Sequence, residues 1–316
     1  MTRAVLVTGA YGFIGGVVIR HLTDAGWTVK AATRDPARAP STRSTPVRLP
    51  DLAAAPATWD ALLDGVDHVV HCAGIAQASD ALSDADYRAA NVELTETLAK
   101  AALRRSEGRF VFLSSIRAVT GPVSPDIVDD TTPPAPSDGY GRSKLEAEQA
   151  LQAMFAGDDA NRLVIFRPVP VYGNEARGNL HALLRLASLP LPLPIGGLTA
   201  KRSLLDVEAL GRAAVHILNR PGVEGGTYTI CDRTALSIAE IVAAFRAGQG
   251  RKPGILAVPP SILSSALTVL GKGALWRQLS GALVADASRL ERTGWMQTDD
   301  TMQRLSALAA ATHRTV

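Results

Sequence analysis

Apolar positions in the first half of the chain fall into two alternating textures. Short continuous apolar runs stand at 4–8, 27–33, 67–72, 109–113 and 162–166, with a weaker one at 46–49. An unbroken run of this length predicts a strand covered on both faces. Between the runs, apolar residues recur at helical spacing: Ile14, Val17, Val18 and Leu22 within 13–25, then the stretches 57–63, 84–105 and 138–156. Gly26 stands just past the first of these, where a helix end favours glycine. Strands and helices alternating at this pitch imply right-handed crossovers and an α/β fold built on a doubly wound parallel sheet.

From about 172 the texture changes. Pro190, Pro192, Pro194, Gly196 and Gly197 crowd one stretch, and a strand-like run at 226–230 and a helical one at 237–247 alternate with loops. This predicts a large domain over 1–171 and a smaller, mostly substrate-binding α+β lobe over 172–316, with part of the chain returning to the main sheet. No repeat of fixed period occurs.

Composition narrows the function classes. With 47% apolar and 20% charged residues, the 316-residue chain reads as a folded globular protein. The 33 basic residues nearly balance the 30 acidic ones and are interspersed, so the dense basic stripe that nucleic acid requires is missing. No stretch reaches the roughly 18 apolar residues of a membrane span. The apolar N-terminus is broken by Gly9, Gly12, Gly15 and Gly16, which suits a strand and turn rather than a secretory leader, so the cytoplasm is expected. Cys72 and Cys231 are far apart, and no CxxC motif or ligand-spaced histidine pair occurs, so neither metal nor disulfide is expected. His71, on an apolar strand, reads as a satisfied core histidine.

The first chemistry-bearing motif is Thr8-Gly9-Ala10-Tyr11-Gly12-Phe13-Ile14-Gly15, between the first strand and the first helix. Gly9 permits a tight turn, Gly12 lets backbone approach a pyrophosphate, and Gly15 allows the helix to pack closely on the strand. The helix N-terminus offers N–H groups and a positive dipole end to the anion. The motif predicts a dinucleotide site on a Rossmann domain. The second strand ends Ala32-Thr33-Arg34-Asp35. A carboxylate at its end binds the ribose hydroxyls of NAD, whereas an arginine accommodates the 2′-phosphate of NADP; Thr33 and Arg34 therefore favour NADP over NAD, unless Asp35 turns inward. Asp51-Leu52 and Ala73-Gly74, after the third and fourth strands, are expected to flank adenine and the pyrophosphate-ribose region.

The second motif is Tyr140-Gly141-Arg142-Ser143-Lys144, opening a helix behind the N-caps Ser137 and Asp138. Residues four apart share one helix face, so phenol and ammonium can enter the same cleft. A nearby Lys⁺ favours the phenolate of a tyrosine whose reference pKa is about 10, which makes it usable as general acid/base toward a secondary alcohol or ketone.

The order and spacing of TGAYGFIG, FVFLSS and YGRSK resemble the extended short-chain dehydrogenase/reductase superfamily, in particular the NAD-dependent epimerase/dehydratase branch that includes UDP-glucose 4-epimerase. The resemblance covers nearly the whole chain. It implies that Tyr140 is the acid/base, that Lys144 holds the nicotinamide ribose and depresses the tyrosine pKa, and that Ser115 bonds the reacting oxygen, with Ser114 in reserve because Ile116 fills the usual third serine place. Asn91, in YRAANVELT, resembles the family's helix asparagine; the bland alternative is a helix residue bonded to backbone. Pro168 and Val169 are implied to cradle the nicotinamide, and Asn179 and Arg202 to contact the sugar or diphosphate, which suits a guanidinium fork. A homodimer through the helices at 84–105 and 138–156 is implied as well. The expected activity is NADPH-dependent hydride transfer to a 4-keto sugar nucleotide. The rivals are a 4-epimerase that retains NAD and a non-catalytic dinucleotide-sensing protein.

Overall fold

The first strand, β1 (Ala4–Thr8), is buried along its whole length and lies in the interior of the sheet. The computed structural model describes residues 3–40, 42–76, 79, 81–174, 179–269, 271 and 273–313. β2 (Thr28–Thr33), β3 (Thr45–Arg48), β4 (His68–His71), β5 (Phe110–Leu113) and β6 (Leu163–Pro168) follow in the main sheet. Two short pairs of strands lie outside it: β7 (Val171–Tyr172) with β9 (Leu205–Asp206), and β8 (Lys201–Arg202) with β11 (Leu236–Ser237). β10 (Gly226–Ile230) returns to the main sheet and pairs with β6. The resulting seven-stranded sheet has the order β10-β6-β5-β4-β1-β2-β3, and every pairing in it is parallel. The chain thus winds outward both ways from β1, and the change of direction between β1 and β4 opens the crevice where such sheets bind ligands.

Alternation along the strands divides the core into two layers. Val5 and Val7 face a cluster containing Val18, Ile19 and Leu22 of α1 (Phe13–Asp24), while Leu6 faces the opposite layer with Trp59 and Leu62 of α2 (Pro56–Leu62). The 84–105 stretch is one helical rod in three pieces: α3 (Asp84–Tyr87), a π-helical turn at Arg88–Glu93, and α4 (Leu94–Arg105). The wide turn was not readable from periodicity, and it carries Asn91. α4 shares the Leu6 layer with α5 (Gly139–Met154).

Beyond β6 the chain forms α6 (Asn179–Ala187) and α7 (Val207–Asn219); α7 packs on α1 in the first layer. α8 (Ile238–Gly248) and α12 (Thr301–His313) enclose a third cluster with α6, built on Leu184, Phe245 and Leu305; α9 (Pro260–Val269), α10 (Gly273–Ser280) and α11 (Ser288–Glu291) lie between α8 and α12 in sequence. The proline-rich stretch in this lobe is held by Arg246, whose buried guanidinium donates to the carbonyls of Ala187, Leu189, Leu191, Pro253 and Gly254. Among the described residues no helix is long and apolar enough to cross a membrane.

Candidate functional site

The glycine turn closes against the strand beside it. Gly9 has a positive φ of 63°, and a Cβ there would lie 2.7 Å from the Cys72 carbonyl carbon; a Cβ on Gly15 would lie 2.1 Å from the Gly9 oxygen. These two positions let the first turn of α1 sit directly over the end of β1, with exposed Gly12 as its N-cap. The donor-rich helix start and the side-chain-free approach at Gly12 fit a pyrophosphate. Tyr11 adds a buried hydroxyl with no hydrogen-bond partner among the described residues, and Phe13 packs near Gly173. Ile14 lies partly buried against the first-layer core.

Behind this turn runs a directed chain of hydrogen bonds. Thr95 Oγ1 donates its single proton to the Asn91 carbonyl at 2.7 Å, so it must accept from His71 Nε2 at 2.9 Å. His71 Nδ1 then accepts from Thr8 Oγ1 at 2.6 Å, and Thr8 Oγ1 accepts the Ala73 N–H at 3.3 Å. Burial holds the imidazole neutral, with its pKa pushed down to about 3. His71 is therefore a satisfied core histidine that braces the Ala73-Gly74 loop from behind. Gly74 has φ of 140°, and its missing Cβ leaves room for Asn91 Oδ1, which would otherwise be 2.4 Å away.

At the outer side of the dinucleotide crevice, Thr33 ends β2 and Arg34 is exposed. Asp35 accepts the Ala37 N–H at 3.2 Å and caps the short helix that follows. Asp51 and Leu52 lie exposed just past β3.

The YGRSK segment opens α5, with Asp138 as N-cap accepting the Gly141 N–H at 2.7 Å. Tyr140 and Lys144 are both buried, and the Tyr140 phenol meets Ser115 in a side-chain hydrogen bond. Ser115 Oγ also accepts the Arg117 N–H at 3.2 Å. Ser114 points elsewhere: its hydroxyl donates to Glu148, which is held by Arg167 Nη2 at 2.6 Å and Nε at 3.1 Å in a fully buried ion pair. Only Ser115 of the two serines faces the tyrosine.

The electrostatics differ from the sequence expectation. Burial raises the Tyr140 pKa, and the groups that lower it are the Ser115 hydrogen bond and the Arg117 charge; Asp138 and Tyr87 push it up. Lys144 Nζ donates to the Leu113 carbonyl at 3.0 Å and lies 4.9 Å over the Phe112 ring. Its own pKa is lowered to about 8 by burial, so its charge is partly lost just above neutrality. The expected depression of the tyrosine pKa is therefore absent here, because desolvation of a nearly enclosed phenol outweighs the favourable contacts.

The remaining expected residues lie at the end of β6 and beyond it. Pro168 ends β6 opposite Ile230, and the Val169 N–H donates to the Ile230 carbonyl at 3.2 Å. Arg202 Nη2 donates to the Gly281 carbonyl at 2.6 Å and Nη1 to that of Pro122 at 3.4 Å, so its guanidinium ties two loops together. Asn179 is the first residue of α6, and its side chain lies outside the described residues. Cys72 and Cys231 are unpaired, and burial pushes both thiols up to about 12. Among the described residues no group of histidine, cysteine and carboxylate side chains is placed to hold a metal ion.

Sequence reasoning missed Arg117, Glu148 and Arg167. Glu148 had a signal, since it lies four residues beyond Lys144 on the same face of α5. Arg117 had none beyond its place two residues after Ser115.

Comparison with known proteins gives the family and the fold. The sequence pattern of the NAD dependent epimerase/dehydratase family matches residues 5–231. The UDP-glucose 4-epimerase of Vibrio cholerae is 32% identical over 306 residues, spanning 93% of this chain and 91% of that protein. Among solved structures, MoeE5 in complex with UDP-glucose and NAD superposes with a TM-score of 0.75 at 23% identity, covering 99% of each chain. A human epimerase family protein solved with NADPH superposes at 0.70 and 20% identity, covering 99% of this chain and 100% of its own.

Proposed function

The chain belongs to the NAD dependent epimerase/dehydratase family of extended short-chain dehydrogenases, and on that premise we propose that it reduces a 4-keto nucleotide sugar with NADPH. The observation that carries this reading is the Ser115–Tyr140 pair at the open end of β5, one helical turn before Lys144. In the reducing direction Tyr140 gives its phenolic proton to the nascent alkoxide, and Ser115 holds the reacting oxygen in place. A tyrosine kept protonated by burial is suited to that donor role. Lys144, close to the Ala73-Gly74 loop through Gly74, is placed to hold the nicotinamide ribose. The dinucleotide, when bound across the Gly9–Gly15 turn, supplies the hydride. The preference for NADPH is supported by exposed Arg34 and by Asp35, whose carboxylate is occupied with the Ala37 N–H rather than turned to a ribose.

A second reading, a 4-epimerase that oxidises and re-reduces its sugar on retained NAD, is favoured by the 32% identity to the Vibrio enzyme. One set of measurements separates the readings. The purified chain is screened with UDP-, GDP- and dTDP-activated 4-keto sugars and NADPH, and UDP-sugars are followed without added cofactor. The reductase consumes NADPH, and Tyr140→Phe lowers its turnover about 10²- to 10⁴-fold while dinucleotide binding persists. Protein that carries NAD through purification and interconverts UDP-sugars without cofactor turnover is the epimerase. Full activity in Tyr140→Phe would overturn the role given to Tyr140 in both readings, and a parent chain that binds dinucleotide but turns over none of these sugars would be a dinucleotide-sensing protein.

A further inference from the structure

Beyond β6 two stretches of the chain, 179–205 and 241–285, together hold eight basic residues and no acidic one, although the whole chain carries 33 basic and 30 acidic residues. They fold against each other: Leu184 and Leu193 of the first share the third core cluster with Phe245, Ile255 and Leu263 of the second. This part of the molecule is therefore cationic, while the remainder is net acidic.

The same stretches expose apolar side chains. Of the ten large apolar side chains exposed among the described residues, Leu189, Leu191, Leu256, Ile262 and Val269 lie here, with Leu191 65%, Ile262 59% and Val269 87% exposed. They are neighbours rather than scattered. The Leu193 N–H donates to the Gly254 carbonyl and the Leu256 N–H to the Leu193 carbonyl, both at 2.9 Å, so the two chains run side by side. The Gly196 N–H donates to the Leu256 carbonyl at 2.9 Å, and a Cβ on Gly197 would lie 3.2 Å from Cδ of Pro260, the first residue of α9. The outer face of α9 is made of Ser261, Ile262, Ser265, Thr268 and Val269, all exposed and none charged. A helix face turned to water ordinarily carries charge. Here the charges flank the patch instead. Arg185 precedes Leu189 and Arg251-Lys252 precede Leu256; all three are exposed, and Arg251 Nη1 is turned to the Ser188 carbonyl at 2.8 Å rather than to a carboxylate.

We propose that this face docks on an anionic lipid surface, with Leu191, Leu256, Ile262 and Val269 entering the headgroup boundary and Arg185, Arg251 and Lys252 lying against the lipid phosphates. Apolar side chains gain by leaving water at that boundary, and basic ones are drawn to a negative leaflet. The ten residues of α9 are too few to cross a bilayer, so the helix lies on it. All four inserted side chains are aliphatic, without the aromatic anchors that dominate protein interfaces. A second copy of the chain fits poorly, because a two-fold contact through this face would bring like charges together. The proposal does not depend on which reaction the chain catalyses.

The full chain is co-sedimented with vesicles of phosphatidylcholine alone and of phosphatidylcholine containing about one third phosphatidylglycerol. Partition into the anionic vesicles, weakened by added salt, is expected. Arg185→Gln and Lys252→Gln are expected to lower it about fivefold for each charge removed. Leu191→Ser combined with Ile262→Ser is expected to lower it about tenfold or more. These side chains stand in solvent, so the melting temperatures of the variants stay near the parent's. Equal partition into both kinds of vesicle, partition into neither, or partition that both sets of variants leave intact overturns the proposal. So does a dimer in solution that Leu191→Ser with Ile262→Ser dissociates, which would make the face an interface between copies. Sedimentation needs no substrate, so failure of the docking shows separately from failure of the reductase reading.

Discussion

Asn91 and Ile75 are joined side chain to main chain by two hydrogen bonds: the carboxamide oxygen accepts the Ile75 N–H at 2.8 Å, and the carboxamide nitrogen donates to the Ile75 carbonyl at 3.3 Å. The same nitrogen donates to Ser143 Oγ at 2.9 Å, and Ser143 donates to the Tyr140 carbonyl at 2.8 Å. One asparagine therefore couples the loop after β4, where the dinucleotide is expected, to the helix that carries the tyrosine. Of the two readings of Asn91 open from sequence, these contacts show a helix residue bonded to backbone, and they also tie it to Ser143.

Replacing Asn91 with leucine, close to it in size, orphans the partly buried Ile75 peptide and frees Ser143. A loss of about 1–3 kcal/mol of stability is expected. Because the Gly74 loop is released at the same time, NADP affinity is expected to fall several-fold. Urea denaturation and a fluorescence titration with NADP check the two effects. A variant with unchanged affinity but lowered stability would reduce Asn91 to a core hydrogen-bonding residue.

The two adjacent serines are expected to separate by phenotype. Ser114 bonds a buried carboxylate, so Ser114→Ala leaves the Glu148–Arg167 pair short of a donor and lowers stability by about 1.5–3 kcal/mol while turnover stays near the parent's. Ser115 bonds the phenol and a backbone N–H, so Ser115→Ala is expected to lower kcat by at least tenfold with little change in melting temperature. Thermal denaturation and initial rates on the same preparations decide it, and exchanged phenotypes would reverse the assignment.

Much of this was legible in the chain because it depends on local pattern. The runs at 4–8 and 162–166 had to be doubly covered strands, and the YGRSK spacing had to share a helix face. Less was legible where the deciding partner is distant in sequence. The π-helical turn at Asn91 has the composition of an ordinary helix and makes sense only once Ile75 and Ser143 are opposite it. The tyrosine's charge environment depends on how deeply α5 is buried and on where Lys144 Nζ turns, and neither is set by i to i+4 spacing. Gly226–Ile230 reads as a strand in isolation, but its place at the edge of the main sheet is fixed by pairing with β6, some sixty residues earlier. Arg202, expected on a diphosphate, has loop carbonyls within reach that only the folded lobe supplies.

Asp232 gives the fold a pH dependence of unusual sign for a carboxylate. It is buried, accepts the Tyr172 hydroxyl at 2.8 Å, the Thr301 hydroxyl at 3.0 Å and the Asp206 N–H at 3.1 Å, and yet burial raises its pKa to about 6. In the unfolded chain the same group titrates near 3.9. Between about pH 4 and pH 6 the folded protein therefore binds more protons than the unfolded one, and stability contributed by Asp232 is complete below pH 4 and is lost as pH rises through 6. The size of the loss is about 3 kcal/mol, from a shift of roughly two units. Asp232→Asn removes this titration, so the stability of the variant relative to the parent is expected to improve by up to that amount between pH 4 and pH 7. Urea denaturation of both proteins across this range is the measurement. A difference between them that stays constant with pH would mean that Asp232 is ionised in the folded protein throughout, with the three donors around it outweighing its burial.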